Sequence, residues 1–346
     1  MNEPAPDIRE LSAGELESFL KANGEQAFRS KQIRQWLWQK GVRSFEEMTN
    51  LSQACRKLLA DHFSLPAPEV AVRRTAADGT VKTAWNLADG WQVESVLIPG
   101  KEKHTVCLSS QVGCPLGCTF CATGGLGFKR NLTVGEIFFQ VTDARKEAEQ
   151  QGSLLSNIVL MGMGEPLLNY ANVRTAIDHL TDPTGLGMSP SRITLSTAGL
   201  PDQIRRLADD GVRFHLAVSL HSAREEVRSR LMPVNRKYPL AALAESLKYF
   251  TEHTGTRPTF EYLLLQGIND SLEDARLLAE YCRQFPVKIN IIEYNSVEGS
   301  AFRPSSEKQR DAFVRFLESR NMVVNIRRSK GKEIDAACGQ LANKQK

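Results

Sequence analysis

The chain reads as an α/β protein built on a partial (β/α)6 barrel, with a small N-terminal helical accessory domain and a short β linker ahead of the barrel. Three observations predict this. From residue 104 onward, short apolar runs alternate with amphipathic helical stretches, the pattern of parallel strands joined by crossover helices. Before residue 100 the periodicity is helical first and strand-like afterwards. The length, 346 residues, is too great for one small core and enough for a large domain plus an accessory one.

Residues 1–65 have a helical pattern, with Trp36 and Trp38 two apart. Residues 66–99 alternate and contain two Ala-Asp-Gly turns, which reads as a β-meander. Residues 100–330 form the barrel core. Its expected strands are 104–110, 157–162, 192–197, 214–220, 259–265, 288–294 and 322–328. Helical patterns lie between them at 133–150, 170–181, 201–210, 240–253, 271–285 and 305–319. The fifth of these starts at "NDSLEDA", where Asp270 or Ser271 can cap and acids fill the first turn. Residues 331–346 form a C-terminal segment carrying Cys338.

Composition narrows the function classes. The chain is 41% hydrophobic and 24% charged, ordinary values for a globular protein. Its formal charge of +4 does not announce a nucleic-acid binder. The first residues lack the apolar core of a signal peptide, and no apolar run approaches the roughly 18 residues of a membrane span. A cytoplasmic location follows as the expectation, with thiols kept reduced.

Seven cysteines then require an explanation. Cys55 and Cys282 sit in helical patterns and read as small buried hydrophobes. Cys114, Cys118 and Cys121 fall within "QVGCPLGCTFCATG". Structural zinc takes four ligands, and no fourth is evident beside this triplet. An iron–sulfur cubane normally takes four thiolates, so three leave one iron open to bind and reduce something. The Cys-x3-Cys-x2-Cys spacing, with Phe120 before the last cysteine, resembles the signature of the radical SAM enzymes. The resemblance implies a [4Fe-4S] cluster whose open iron chelates S-adenosylmethionine (SAM), and reductive cleavage of SAM to a deoxyadenosyl radical.

Barrel enzymes keep their chemistry at the C-terminal ends of the strands. Those ends hold the cysteine triplet, Gly164 and Glu165 in "MGMGEP", Ser196, the "SLH" run Ser219, Leu220 and His221, and Asn295. Gly164 lets backbone approach, and Glu165 offers charge to the cationic amino group of SAM. Ser196, Ser219 and Asn295 can hydrogen-bond its ribose or carboxylate, and His221 either does the same or packs. "GGLGF" reads as a tight cover over the cluster and not as a phosphate loop.

The remaining motifs make the resemblance closer. "VCLSSQVGCPLGCTFCATGGLGFKRNLT", "MGMGEPLLNYANV", "RITLSTAG", "LMPVNRKYP", "EIDAACGQL" and the N-terminal "FRSKQIRQWLWQKGVRSFEEMTNL" together resemble the RlmN/Cfr family of radical SAM RNA methyltransferases over nearly the whole chain. That resemblance implies methylation of an amidine carbon of adenosine in RNA, a carbon too weakly nucleophilic to attack SAM directly. It implies two SAM per turnover: one methylates Cys338, and the other supplies the radical that activates the S-methyl group. The RNA–protein crosslink that results is resolved by Cys107, leaving a transient Cys107–Cys338 disulfide. "VESVLIP" places the family's proton acceptor at Glu94, which alternation alone would read as a solvated strand residue.

Two branches remain open within the family. RlmN-type enzymes methylate C2 of adenosine 2503 in 23S rRNA, and some act also on adenosine 37 of tRNA; Cfr-type enzymes methylate C8 of the same rRNA base. "GEP" at 164–166 resembles the RlmN side. A methylthiotransferase would need further cysteines upstream, where only Cys55 precedes Cys107. A non-enzymatic metal-cluster RNA-binding module would bind metal without cleaving SAM. RNA contact is expected from Lys129 and Arg130, from Arg224, Arg228, Arg230, Arg236 and Lys237, and from Arg327, Arg328, Lys330 and Lys332, with the N-terminal helices assisting. The buried target base would have to leave its stack. The resemblance also implies a flavodoxin-like electron donor, and the chain is expected to be a monomer.

Overall fold

The computed structural model describes residues 5–342, so the outermost parts of the expected 1–65 and 331–346 segments lie outside the described residues. Three helices come first: α1 (Ala13–Ala22), α2 (Phe28–Gln35) and α3 (Gln53–His62). Ser12 starts α1 with a reciprocal cap, its Oγ accepting from the Glu15 amide at 3.2 Å while the Glu15 carboxylate accepts from the Ser12 amide at 2.7 Å. Ser52 caps α3 through the Cys55 amide at 3.1 Å. A wider turn, Trp36–Lys40, continues α2 and ends at Gly41 with φ 60°. A Cβ there would lie 2.8 Å from Thr142 Cγ2, so glycine lets this turn close on the barrel helices.

The meander follows: β1 (Glu69–Thr75), β2 (Val81–Asn86) and β3 (Gln92–Pro99). These strands are antiparallel, and β3 pairs antiparallel with β4 (Lys103–Cys107). The segment expected as a linker is therefore the edge of the main sheet. Next come the hairpin strand β5 (Gln111–Gly113), the short α4 (Ala122–Gly125), the second hairpin strand β6 (Phe128–Asn131) and α5 (Val134–Gln150). The barrel continues as β7 (Leu154–Leu160), α6 (Tyr170–Thr181), β8 (Ile193–Thr197), α7 (Pro201–Asp209) and β9 (His215–Ser219). It ends with α8 (Glu225–Leu231), α9 (Leu240–Thr254), β10 (Thr259–Leu264), α10 (Leu272–Cys282), β11 (Lys288–Glu293), α11 (Glu307–Ser319) and β12 (Val323–Arg327).

The main sheet has ten strands in the order β1-β2-β3-β4-β7-β8-β9-β10-β11-β12. From β4 to β12 every neighbouring pair is parallel. This is the α/β partial barrel that the alternating pattern predicted. Ile158, Leu160, Ile193, Leu195, Leu216, Val218, Phe260, Ile289 and Ile291 are buried because helices cover the sheet. Each such side chain contributes about 2 kcal/mol by leaving water.

Two local readings change. The first barrel strand ends at Cys107, before residue 110: beyond it the Leu108 amide reaches Val159 O and the Ser110 amide reaches Met163 O, so the chain crosses toward the site. Helix α8 lies where no helix was expected, because its seven residues are too few to show a period. Ser271, and not Asp270, caps α10; Asp270 instead accepts from Gly267 N and Ser305 Oγ.

Candidate functional site

The cysteine triplet sits in the loop of the β5–β6 hairpin. The neck of the hairpin requires glycine: Gly113 has φ 72°, and a Cβ on it would lie 1.8 Å from Gly127 O. The Cys114 amide donates to Gly127 O and the Cys121 amide to Cys118 O, which coils the loop tightly. Cys114, Cys118 and Cys121 all line one cavity. Burial pushes the Cys114 thiol up to about 12 and the Cys118 thiol higher still, and for Cys118 the next causes are Cys121 and Cys114 themselves.

The strand ends form the opposite wall, with Gly164, Glu165, Ser196, Ser219 and His221. Gly164 (φ 103°) packs on Gln111, where a Cβ would lie 2.6 Å from the Gln111 Cβ. Buried Glu165 accepts from the Ala198 amide at 2.7 Å and the Leu167 amide at 3.1 Å, and burial pushes its carboxyl up to about 7. His221 accepts at Nδ1 from the Leu263 amide at 3.0 Å, which leaves its proton on Nε2. Burial, then the Arg228 charge, lower its pKa to about 3, so the ring stays neutral. Phe120 meets it edge to face, with centroids 4.7 Å apart.

Leu220 and Asn295 are buried behind this wall and do not line it. The Leu220 amide donates to Glu261 O, and Asn295 Nδ2 lies 3.4 Å from Cys338 O. The Asn295 Oδ1 atom is buried without a partner.

A second cavity adjoins the first through Cys121, Met161, Gly162, Ile292, Arg327, Cys338 and Gly339, and Cys107 lines it. Cys338 has accessible surface, but that surface is the wall of the two cavities. Burial pushes the Cys107 thiol up to about 12, and the Cys338 charge adds to it. Burial raises Cys338 as well, and Arg327 opposes that rise. The two thiols therefore share one chamber. The C-terminal segment is tied to the cysteine loop by Ala122 N donating to Gly339 O at 2.8 Å and Thr123 Oγ1 to Leu341 O at 2.6 Å.

Glu94 is buried, which overturns the reading from alternation alone. Its carboxylate pairs with Lys82 Nζ at 3.1 Å and accepts from the Ala342 amide at 3.0 Å. It lines neither cavity and anchors the segment that carries Cys338.

The basic residues expected on an RNA face do not all stand free. Arg228 is fully buried, Arg224 pairs with Asp274 at 2.8 Å, Arg327 with Glu261 at 3.1 Å, and Lys332 with Glu293 at 3.2 Å. Arg130 is held between Asp89 and Glu136. Glu261 went unnoticed in the sequence although it lines the first cavity. Its signal was a lone carboxylate in the apolar strand "TFEYLLL".

The barrel, with three cysteines in the loop after its first strand and a polar floor at its strand ends, defines a radical SAM enzyme. A model of the radical SAM superfamily matches residues 108–279, and a model of the ribosomal RNA large subunit methyltransferase N-terminal domain matches residues 7–65. A relative from Flavobacterium johnsoniae, "Probable dual-specificity RNA methyltransferase RlmN", is 49% identical over 98% of this chain and 97% of its own. "Dual-specificity RNA methyltransferase RlmN" from Anaeromyxobacter sp. is 44% identical over 98% of this chain and 91% of its own. A crystal structure of a radical SAM methyltransferase from Sphaerobacter thermophilus superposes with a TM-score of 0.93 at 38% identity, covering 97% and 99% of the two chains. The chain belongs to the RlmN family of radical SAM RNA methyltransferases.

Enzymes of this superfamily use a [4Fe-4S] cluster and SAM. The residues present fit both groups. Three thiols line one cavity, yet among the described residues no three candidate ligands converge on a point suited to a single metal ion. A cubane takes its thiolates on separate irons, and three thiols on one cavity suit it. The Glu165 carboxyl, which lines the cavity, supplies an acceptor for a group bearing donors and positive charge, and the buried, unpartnered Asn295 Oδ1 lies behind the cavity wall. Among the described residues no helix is long and apolar enough to cross a membrane.

Proposed function

We propose that this enzyme methylates C2 of adenosine 2503 in 23S rRNA, and adenosine 37 of tRNA, through an S-methyl intermediate on Cys338. The observation that carries the reading is the chamber shared by Cys107 and Cys338, which opens onto the cavity of the cysteine triplet. Cys114, Cys118 and Cys121 would hold the cluster, and Gly164, Glu165, Ser196, Ser219 and His221 would hold SAM, with Leu220 and Asn295 supporting them from behind. The bound cofactors supply a methyl group and a hydrogen-abstracting radical. Cys338 accepts the methyl group on its sulfur and presents it to the adenine. Once a hydrogen has been taken from that methyl group, its carbon bonds to adenine C2 and joins the RNA to Cys338; the C2 proton leaves, and one electron would return to the cluster. The Cys107 thiolate then attacks the Cys338 sulfur and breaks its bond to that carbon, which takes a proton to complete the methyl group and leaves a Cys107–Cys338 disulfide. Reduction of that disulfide by an external thiol reductant restores the enzyme.

Glu94 takes the proton from the adenine C2 in this reading. Its contact with the Ala342 amide puts it on the segment that carries Cys338, and that contact must loosen for the carboxylate to face the base. The RNA approaches the barrel mouth with its target base turned out. A flavodoxin-like protein serves as the electron donor, and the enzyme works as a monomer in the cytoplasm.

The test is mass spectrometry of nucleosides after reaction of anaerobically reconstituted enzyme with reductant, SAM and an unmodified 23S rRNA fragment or tRNA. 2-Methyladenosine in both RNAs is the expected product. 8-Methyladenosine would overturn the C2 assignment, and product in only one RNA would remove the other as substrate.

A further inference from the structure

Arg228 is a fully buried cation at the back of the site, and the reaction scheme gives it no task. It projects from α8, whose last residue accepts at its carbonyl oxygen from both the amide (2.9 Å) and the hydroxyl (3.3 Å) of Thr119, the residue after Cys118. Its guanidinium donates to Ala198 O at 2.7 Å, Leu220 O at 3.1 Å and Ser219 O at 3.3 Å, the carbonyls at the ends of β8 and β9. A fourth bond goes to Asn235 Oδ1 at 2.6 Å. None of these acceptors is a carboxylate. The Glu225 carboxylate is linked to Arg228 through the Asn235 amide and already accepts from Leu240 N. Among the described residues Arg228 has no ion pair, and burial depresses its pKa to about 10 while Tyr281, then Cys118 and Glu225, oppose that fall.

A buried cation without a counterion is costly unless the assembled site supplies negative charge. Three cluster thiolates and the carboxylate of SAM would supply it on the side where Arg228 lies. We propose that Arg228 is a positioning residue that fixes the strand-end carbonyls of the SAM floor and places a permanent positive charge beside Cys118, making the cluster easier to reduce. The inference rests on the reading that Cys114, Cys118 and Cys121 hold the cluster. The sign follows from charge: adding one electron makes the cluster more negative, and a nearby cation favours the more negative state. The electron comes from a low-potential one-electron donor, dithionite in the test below.

The test is an EPR-monitored redox titration of reconstituted holoenzyme in four forms: wild type, Arg228→Met, Arg228→Gln and Arg228→Lys. Wild type alone tests the cluster reading, and absence of a cluster signal there overturns both. With the cluster present, Arg228→Met is expected to lower the reduced-to-oxidised ratio at a fixed potential about tenfold, a shift of about 59 mV to more negative values for one electron. Arg228→Lys should recover most of the shift. If Arg228→Met fails to fold or load, Gln and Lys, each keeping a donor to the carbonyls, are compared: a Gln potential below that of Lys supports the proposal. Equal potentials for the charged and neutral variants overturn it.

Discussion

Burial leaves the Glu165 carboxyl close to half-protonated at neutral pH, although the Ala198 amide, the Thr197 side chain and the Leu167 amide favour its charged form. A cationic amino group from SAM would reward the ionised form and drive the proton off. Protonation below about 7 removes the charge, so SAM affinity rises with pH through that region. Equilibrium dialysis on cluster-loaded enzyme should show on the order of tenfold tighter binding at about pH 8 than at about pH 6. Glu165→Gln should bind weakly at both and lose the slope. The paired thiols make a separate prediction. Cys107→Ala should stop turnover yet accumulate RNA covalently attached to Cys338, visible as a slow band on a denaturing gel. Cys338→Ala should give neither product nor adduct while still cleaving SAM.

The hairpin that holds the triplet depends on its neck. Gly113→Ala would force a Cβ against the Gly127 carbonyl from a left-handed backbone, a local cost of at least about 1–3 kcal/mol. The variant should fold, since the barrel core does not pass through this hairpin, but its iron content after reconstitution should fall severalfold. The triplet was legible in the sequence because its three thiols are local, with spacing set within one loop. The same holds for the start of α10, where Ser271 and Asp274 make the cap between them. Helix α8 was not legible, because one short amphipathic turn looks like a loop. Arg228 was therefore misjudged with it, as a surface cation.

An aromatic contact set helps join the N-terminal helices to the barrel. Trp38 stacks on His179 of α6 with centroids 3.7 Å apart and meets Phe138 of α5 edge to face. Burial, then Arg34, lower the His179 pKa to about 4. An unfolded histidine titrates near 6.5, so the folded form disfavours the proton. The stability linked to this ring is complete above about pH 6.5 and is lost as pH falls toward 4. Allowing for its partial exposure, the loss is about 1 kcal/mol, or roughly 2 °C in Tm. Thermal melts of wild type should therefore fall more steeply between about pH 7 and pH 5 than those of His179→Phe, and equal slopes would sink the idea.

Local pattern was enough for much of this protein. Alternating apolar runs announced the parallel sheet, because helices on its faces bury whole strands. Three cysteines in one loop pointed to a cluster site, and the motif set announced the family. What local pattern could not carry was partnership across the fold. Glu94 meets Lys82 and Ala342, and Glu261 meets Arg327, over separations that no periodicity reports. Cys107 and Cys338 lie far apart in sequence and share a chamber only because β4 and the segment after β12 meet on the same side of the sheet. Whether a charged side chain ends in water or in the core depends on which elements close over it, and for Arg228 the closing elements are two strand ends and a helix too short to foresee.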